Sequence, residues 1–286
     1  MSTIFRYTLR RFRGQILGWG IAFALLGVLL VSMYDTFAAQ QGQLEDLLKF
    51  YPEEFTAFFG DFSAYGTPEG FLGIELFSIM PLILGIFAVL TGSGLLVSDE
   101  ENGRLDLIMA YPVSRTALFL GRLLAFITAT VAILAITWLG LVIPMNWSSI
   151  DIGWGKTWLP LLSVLAELLL FGTLSLFLSM VLPSRRLAAT TAGLLLVASF
   201  FITGLAKINQ DLEPIARLSP LNYYQTQDAF HGLNGAWFGG LIASAAIFTA
   251  LAWWLFQRRD IRVGGEGGWQ LPSLSLRWRA RAGRQV

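Results

Sequence analysis

The stretch that decides the fold is LFSIMPLILGIFAVLTGSGLLV, at residues 76–97, which contains no charged side chain. The hydrocarbon core of a bilayer is about 30 Å thick, so a helix needs about 20 mostly apolar residues to cross it. Backbone N–H and C=O groups inside lipid must bond to one another, and a helix achieves this within a single segment. The stretch therefore predicts a transmembrane helix.

Five further stretches share this length and composition, namely Gln15–Met33, Ala117–Met145, Leu159–Leu182, Leu187–Ala206 and Trp237–Phe256. Over all 286 residues, 55% are hydrophobic and 14% are charged, whereas soluble domains carry about 25% charged residues. We therefore predict an all-α, polytopic membrane protein with six transmembrane helices. We expect the first span to be retained, because no small-residue cleavage site follows it.

The distribution of charge predicts the orientation. Fifteen of the 20 Lys and Arg residues fall before the first span, between spans two and three, between spans four and five, or after the last span, and Arg122 at the start of the third span makes sixteen on the same side. Positive charge concentrates on the cytoplasmic side of membrane proteins, so both termini are predicted to be cytoplasmic. Eleven of the 19 acidic residues fall in the outer loops. Together, the spans and their orientation predict three parts of the chain. These are a cytoplasmic amphipathic interface helix (1–13), a six-span domain (14–260) and a basic cytoplasmic tail predicted to be disordered (261–286).

Several kinds of chemistry are excluded by composition. The chain has no cysteine and one histidine, His231, so disulfides, thiolate sites and sites with two imidazoles are absent. The net charge of +1 gives no basic field for nucleic acid. The triplet Gly155-Lys156-Thr157 ends like a phosphate-binding loop, but Ile150 stands where that loop needs its first glycine. We expect neither an enzyme nor a bound cofactor.

The most informative loop lies on the predicted cytoplasmic side, at residues 98–116, and begins SDEENGRLDLIMAYPVSR. An acidic cluster leads into a short amphipathic helix with Leu105, Ile108 and Met109 on one face, and Pro112 ends it. An exposed apolar stripe held between two spans suits the docking of a soluble protein. The alternative is a helix that lies on the inner leaflet.

One carboxylate is predicted to lie inside the membrane. Glu167 is eight residues into the fourth span, about 12 Å deep at 1.5 Å per residue. A charge at such a depth costs at least about 2.5 kcal/mol, so we expect Glu167 to face protein or a wet cavity. Two interpretations remain open: a contact to substrate on a transport path, or a protonated carboxyl bonded to a neighbouring helix.

Two outer loops are predicted to carry short helices. Loop 35–70 has apolar stripes on either side of Pro52, which predicts two helices that rest on the membrane surface or on the spans. In loop 207–235, Ser219 before Pro220 predicts a helix start, with the helix running to about Ala229. Tyr223 and Tyr224 are then expected at the membrane interface.

The loop residues Glu100-Glu101-x-Gly103-x-Leu105-x-Leu107, the run Tyr111-Pro112-Val113-Ser114-Arg115 and the triplet Gly121-Arg122-Leu123 together resemble the signature of type-2 ATP-binding-cassette (ABC) transporter permeases. The outer segments 51–55, 68–71 and 218–220 are also similar to one branch of that family. Arg122 stands where lysine is common.

The resemblance implies a permease subunit of an ABC exporter in a bacterial plasma membrane, with ATP bound by a separate cytoplasmic ATPase subunit. A second permease copy or a paralogue would complete the path, and the cargo would be a hydrophobic or amphipathic compound such as an antibiotic, a drug or a lipid. Loop 98–116 would be the coupling helix that contacts the ATPase, through Glu100, Glu101, Gly103, Leu105, Ile108, Met109, Pro112 and Arg115. Glu167 would be a possible residue of the substrate path.

Two other classes of function are considered. A membrane-embedded partner or sensor without a transport path could use the same loop to bind a soluble protein. A secondary transporter is disfavoured, because the sequence shows no internal repeat and few ionisable groups in the spans.

Overall fold

The computed structural model describes residues 1–39, 58, 62–105, 110–111 and 113–258. Within these residues the structure is helical and contains no β-strand. The helices are α1 (Ser2–Ala39), α2 (Pro68–Leu72), α3 (Met80–Gly94), α4 (Val97–Glu101), α5 (Arg115–Met145), α6 (Trp158–Val181), α7 (Arg185–Ile208), α8 (Glu213–Ala216) and α9 (Gly235–Arg258). The tail 261–286 and most of the loop before residue 62 lie outside the described residues.

Among the described residues, six segments are long and apolar enough to cross a membrane, which confirms the predicted number of spans. Five are single helices, and the second, Pro68–Gly94, combines α2, a π-helical turn and α3. Four of the six begin and end within about two residues of the predicted bounds. The prediction of an all-α polytopic membrane protein is confirmed.

Helix α6 occupies the centre of the bundle and packs against α3, α7 and α9. Its most apolar stretch is 67% buried, against 17% for α9 at the periphery. Helix α3 approaches α6 closely at Gly92, where an added Cβ would lie 2.1 Å from the carbonyl oxygen of Gly172. Glycine at 92 therefore lets the two backbones touch, and the Ser175 hydroxyl donates to the Val89 carbonyl across the same contact at 2.8 Å.

Helices α1 and α5 run parallel along the side of the bundle. At one end Ile4 packs against the backbone at Gly121, and at the other end Asp35 Oδ1 accepts the backbone N–H of Ser149 at 2.9 Å. With six spans, α1 therefore starts at the same end of the bundle at which α9 stops. We call this the inner end, and it is the end that the positive charges assign to the cytoplasm.

The first helix differs from prediction in its continuity. Residues 1–13 are helical and amphipathic as predicted, but they are the first turns of a single 38-residue helix rather than a separate interface helix. At 1.5 Å per residue α1 is about 57 Å long, well beyond the thickness of the hydrocarbon core. Its early turns stay in line because Ile4 packs on α5 and Phe12 packs into the main hydrophobic core.

The second span begins eight residues earlier than predicted. The Thr67 hydroxyl accepts the N–H of Gly70 at 3.1 Å, and Pro68 and Glu69 follow in the first turn, which is a favourable helix start. The helix then widens into a π turn at Gly73–Phe77 before α3 begins. Pro81 cannot donate to the carbonyl four residues before it, which belongs to Phe77.

The Phe77 carbonyl oxygen instead accepts a hydrogen bond from a side chain of the last outer loop. The Tyr224 hydroxyl donates to the Phe77 oxygen at 2.7 Å. Burial, followed by the field of Glu167, raises the pKa of the Tyr224 phenol, so the hydroxyl keeps its proton and remains a donor. The expectation that Tyr224 sits at the membrane interface is therefore wrong, because the ring points into the protein to satisfy the interrupted span.

The last outer loop also differs from prediction. Instead of one helix from Ser219 to Ala229 there are two 3₁₀ turns, Pro220–Tyr223 and Gln227–Phe230. The Ser219 hydroxyl does not cap a helix but bonds to the hydroxyl of Thr203 at 2.8 Å and to that of Ser199. Because Ser199 lies nine residues from the outer end of α7, the loop descends between the helices as a plug rather than resting on the membrane surface.

The apolar stripe predicted after Pro52 consists of Phe55, Phe58, Phe59 and Phe62, and of its members before Phe62 the structure describes Phe58. Phe58 packs over Gly204 and against the rings of Phe200 and Phe201, each with a centroid distance of 5.8 Å. The expectation that this stripe rests on the spans is confirmed for Phe58. The predicted helix start at Pro52 lies outside the described residues.

Candidate functional site

Loop 98–116 is built around a carboxylate shared by two arginines. Asp99 Oδ2 accepts from Arg122 at 2.7 Å, and Asp99 Oδ1 accepts from Arg11 at 3.1 Å. The Asp99 and Arg122 side chains are each 5% exposed, whereas Arg11 is 45% exposed. Arg122 also donates to the Leu95 carbonyl at 2.7 Å, so its buried guanidinium has both a counter-charge and a second acceptor.

The end of α4 explains why glycine occurs in this loop. Gly103 has φ of +64°, a conformation that glycine adopts without steric cost. The Arg104 N–H reaches back to the Asp99 carbonyl at 2.8 Å, and the Gly103 N–H reaches the Glu100 carbonyl at 3.0 Å. This pair of bonds is a Schellman motif. It ends α4 sharply and fixes the direction in which the chain leaves the membrane.

Three more hydrogen bonds, made by two side chains, tie the loop to the other side of the bundle. Glu101 Oε1 accepts the backbone N–H of Arg185, in the first turn of α7, at 3.0 Å. A carboxylate at that position satisfies a free N–H and suits the positive end of the helix dipole. At the other end of the loop, Arg115 donates to the carbonyls of Phe256 and Gln257, in the last turn of α9, at 3.1 and 3.2 Å.

The predicted exposure of Leu105 is wrong. Its side chain is 2% exposed and belongs to the main hydrophobic core. The Schellman turn that precedes it directs the chain back against the bundle, so Leu105 anchors the loop from beneath. Glu100 is also buried, at 8% exposed, while Ile108, Met109 and Pro112 lie outside the described residues. The role of these residues in contacting an ATPase stays a prediction.

Among the described residues of the loop, several polar side chains and one aromatic side chain are exposed, and we refer to Arg104, Tyr111 and Ser114 as the exposed side of the loop. Tyr111 is 71% exposed, and Arg104 and Ser114 are also exposed. Ser114 accepts the Ala117 N–H at 3.2 Å and so caps α5 directly after this surface. Tyr111 is thus exposed three residues before the capped start of α5.

Glu167 is completely buried in α6, at 0% exposed. Neither carboxylate oxygen has a hydrogen-bond partner among the described residues. One interpretation of Glu167 was a protonated carboxyl bonded to a neighbouring helix. Among the described residues, no group forms such a hydrogen bond. A possible place on the substrate path stays a prediction.

The structure shows that Glu101, Gly103 and Arg115 each help to hold loop 98–116 in place, whereas the roles of Asp99 and Arg11 in holding it were not predicted from the sequence. A signal for them was present: Arg122 stands inside a predicted span and needs a partner of opposite charge. The acidic cluster at the end of the preceding span offered that partner. Which of its carboxylates would turn inward depends on helix phase, which the loop sequence alone does not fix.

The spans and the loop described above lie within a match to a known protein family. Residues 16–261 match the model described as ABC-2 family transporter protein. The match includes the six spans apart from the first turns of α1, and it includes the whole of loop 98–116. No curated protein matches the chain.

Proposed function

We propose, from the fact that the chain belongs to the ABC-2 family of transporter proteins, that it is the membrane-spanning permease subunit of an ABC exporter. ATP would be bound and hydrolysed by a separate cytoplasmic ATPase subunit. A second permease, either another copy of this chain or a paralogue, would complete the transport path. The cargo would be a hydrophobic or amphipathic compound moved outward across a bacterial plasma membrane.

The observation that carries this proposal is the set of bonds that loop 98–116 makes. Asp99 connects it to α1 and α5, Glu101 to α7, and Arg115 to α9. A load applied to this loop therefore reaches four of the six spans through hydrogen bonds and ion pairs rather than through a flexible linker. A subunit driven by a separate ATPase needs such a connection.

The exposed side of the loop suits an ATPase as its partner. Arg104 and Tyr111 project from the inner end, and tyrosine and arginine are enriched among the residues that dominate binding at interfaces. Ile108 and Met109 remain predicted contacts of the same surface. Leu105 would act from below by keeping the loop in place.

The test is co-expression of the chain with its ATPase. We expect Tyr111→Ala to lower the recovery of ATPase with the permease about tenfold, as for loss of an interface anchor of about 1.4 kcal/mol or more. Trp147→Ala is the matched control, because Trp147 is an aromatic residue 79% exposed at the opposite end of the bundle. Equal recovery with both variants would contradict the assignment of this surface.

Glu167 is proposed to contact cargo when the outer plug opens. Its support is a buried carboxyl without a partner among the described residues, in the helix at the centre of the bundle. We expect Glu167→Gln to alter transport or substrate choice with little change in melting temperature. Glu75→Gln is the control, since Glu75 is exposed and bonded to Tyr65 at 2.6 Å. Normal transport by both Glu167→Gln and Glu167→Leu would refute the role.

Substrate-stimulated ATP hydrolysis separates an exporter from a membrane-embedded partner or sensor. If the chain is a permease with a transport path, added cargo should increase ATP hydrolysis by the assembled complex and should be moved across the membrane. A sensor without a path should move no cargo across the membrane of a vesicle. ATP-dependent accumulation of a fluorescent amphiphile in inverted vesicles measures this directly. Hydrolysis without accumulation of any cargo tested would favour the sensor.

A further inference from the structure

A cavity of about 350 Å³ lies at the inner end, between the early turns of α1 and the end of α3. Its lining includes Arg11, Arg122 and Arg185 together with Asp99. Neither Arg104 nor Tyr111 lines it, so it is distinct from the surface proposed for the ATPase. We propose that this cavity binds a phosphoryl group, carried either by the headgroup of an inner-leaflet phospholipid or by a soluble phosphate.

The charges that line the cavity do not balance. Three guanidinium groups face one carboxylate, and Asp99 already uses one oxygen for Arg11 and the other for Arg122. The Arg185 guanidinium has a single long hydrogen bond, 3.5 Å to the Leu90 carbonyl, and no ion pair among the described residues. A ligand with negative charge and several acceptor oxygens would complete this set, as phosphate does for arginine.

A hydroxyl in the same wall points independently to a ligand. Thr91 is 6% exposed and lines the cavity, yet its Oγ1 has no hydrogen-bond partner among the described residues. A threonine inside a helix usually donates to the carbonyl four residues before it. Four other threonines in the spans of this chain do so, namely Thr130, Thr137, Thr173 and Thr249. Thr91 is thus left with a donor to offer to a molecule in the cavity.

The position of Arg185 depends on Gly94. A Cβ added at residue 94 would lie 2.9 Å from Arg185 Nε and 3.0 Å from its Cζ. The guanidinium therefore lies against the bare backbone of α3, directed from the start of α7 into the cavity wall. Arg186, its neighbour in sequence, is exposed and does not line the cavity.

The depth of the cavity favours a phosphoryl group over other anions. Its α1 lining, residues 7–15, directly precedes the apolar stretch of the first span, which is the level of the lipid headgroups. Phosphate is the anionic group that phospholipids place at this level, and basic pockets between transmembrane helices on this side of a membrane suit it. Phe12 and Leu95 in the lining would meet the first carbons of an acyl chain.

The experiment uses the full chain, delipidated in a neutral detergent, with bound lipid counted by native mass spectrometry during titration. The probes are dioleoylphosphatidylglycerol, dioleoylglycerol, which lacks the phosphoryl group, inorganic phosphate and oleate. We expect phosphatidylglycerol to bind about tenfold more tightly than dioleoylglycerol, as for one charge-assisted contact. Displacement of phosphatidylglycerol by millimolar inorganic phosphate would identify a soluble phosphate as the ligand, and resistance to it would identify the lipid.

Variants locate the binding. We expect Arg185→Gln to weaken phosphatidylglycerol binding about tenfold and Arg186→Gln, with the same change of charge, to alter it less than about twofold. Thr91→Val is close in shape to threonine, so it tests the hydroxyl even if Arg185→Gln folds poorly, and it should weaken binding about threefold to tenfold. Equal affinity of the wild type for phosphatidylglycerol and dioleoylglycerol, oleate binding as tight as phosphatidylglycerol, or equal losses in Arg185→Gln and Arg186→Gln would each overturn the proposal.

Discussion

Replacing Asp99 by alanine would leave the guanidinium of Arg122 buried without its counter-charge. The two side chains are each 5% exposed and their atoms lie 2.7 Å apart. Removal of one partner from a buried ion pair costs about 3–5 kcal/mol, because the remaining charge stays desolvated. Arg122 would keep its bond to the Leu95 carbonyl, so we expect Asp99→Ala to fall near the lower end, at about 3 kcal/mol.

The structure supplies a control with almost the same geometry. Arg217 and Glu213 form an ion pair at 2.8 Å, but their side chains are 69% and 59% exposed. An exposed pair loses little when it is broken, because water already solvates both charges. We therefore expect Glu213→Ala to cause no resolvable loss of stability, although the distances in the two pairs differ by only 0.1 Å.

Unfolding in mixed micelles with increasing dodecyl sulfate, followed by tryptophan fluorescence, measures both effects. The double variant Asp99→Ala with Arg122→Met removes both buried charges, so it should be more stable than Asp99→Ala alone. A loss of stability in Asp99→Ala no larger than that in Glu213→Ala would contradict the buried ion pair's role. That role is also contradicted if the double variant loses the sum of the two single losses, because the two charges would then be independent.

The sidedness of the loops, the glycine contacts and the Tyr224 hydroxyl can each be tested by substitution. In a chain without cysteine, Asn102→Cys should resist a membrane-impermeant thiol reagent applied to intact cells and Trp147→Cys should react; the reverse pattern would invert the topology. Gly92→Ala should destabilise the bundle by about 2 kcal/mol or more through overpacking, whereas Gly14→Ala, where an added Cβ meets nothing within 4 Å, should be neutral in the same unfolding assay. Tyr224→Phe should cost about 1–3 kcal/mol by leaving a buried carbonyl without its donor, and an unchanged unfolding midpoint would show that water replaces the hydroxyl.

The sequence is sufficient to predict the number of spans and the position of the cytoplasmic loop, because both depend on composition over about 20 residues. It is not sufficient to predict whether an individual side chain points into the protein or to its surface. Leu105 was expected on an exposed stripe, but the turn at Gly103 rotates it into the core. Likewise Tyr224 follows an interface pattern in sequence, and only the folded chain reveals the carbonyl that it satisfies.

The start of the second span shows a different limit. Thr67, Pro68 and Glu69 carry a recognisable start signal, but it lies in a stretch that hydropathy assigns to a loop. A short polar turn changes the mean hydropathy of a window of about 20 residues very little. The N-cap at Thr67 is therefore recognised only when capping signals are considered separately from hydropathy. The ion pairs of Asp99 with Arg11 and Arg122 join three helices that are distant in sequence. No local sequence pattern therefore predicts them.

The interruption of the second span has a mechanical consequence. In an unbroken helix, bending sharply at its middle breaks several hydrogen bonds of the same ladder. Here the carbonyl of Phe77 is held by the hydroxyl of Tyr224 from a different segment, and Pro81 has no N–H to lose. The last outer loop therefore braces the second span at its interruption. A movement of this loop that breaks the Tyr224 bond would also remove a donor from a carbonyl that Pro81 cannot satisfy.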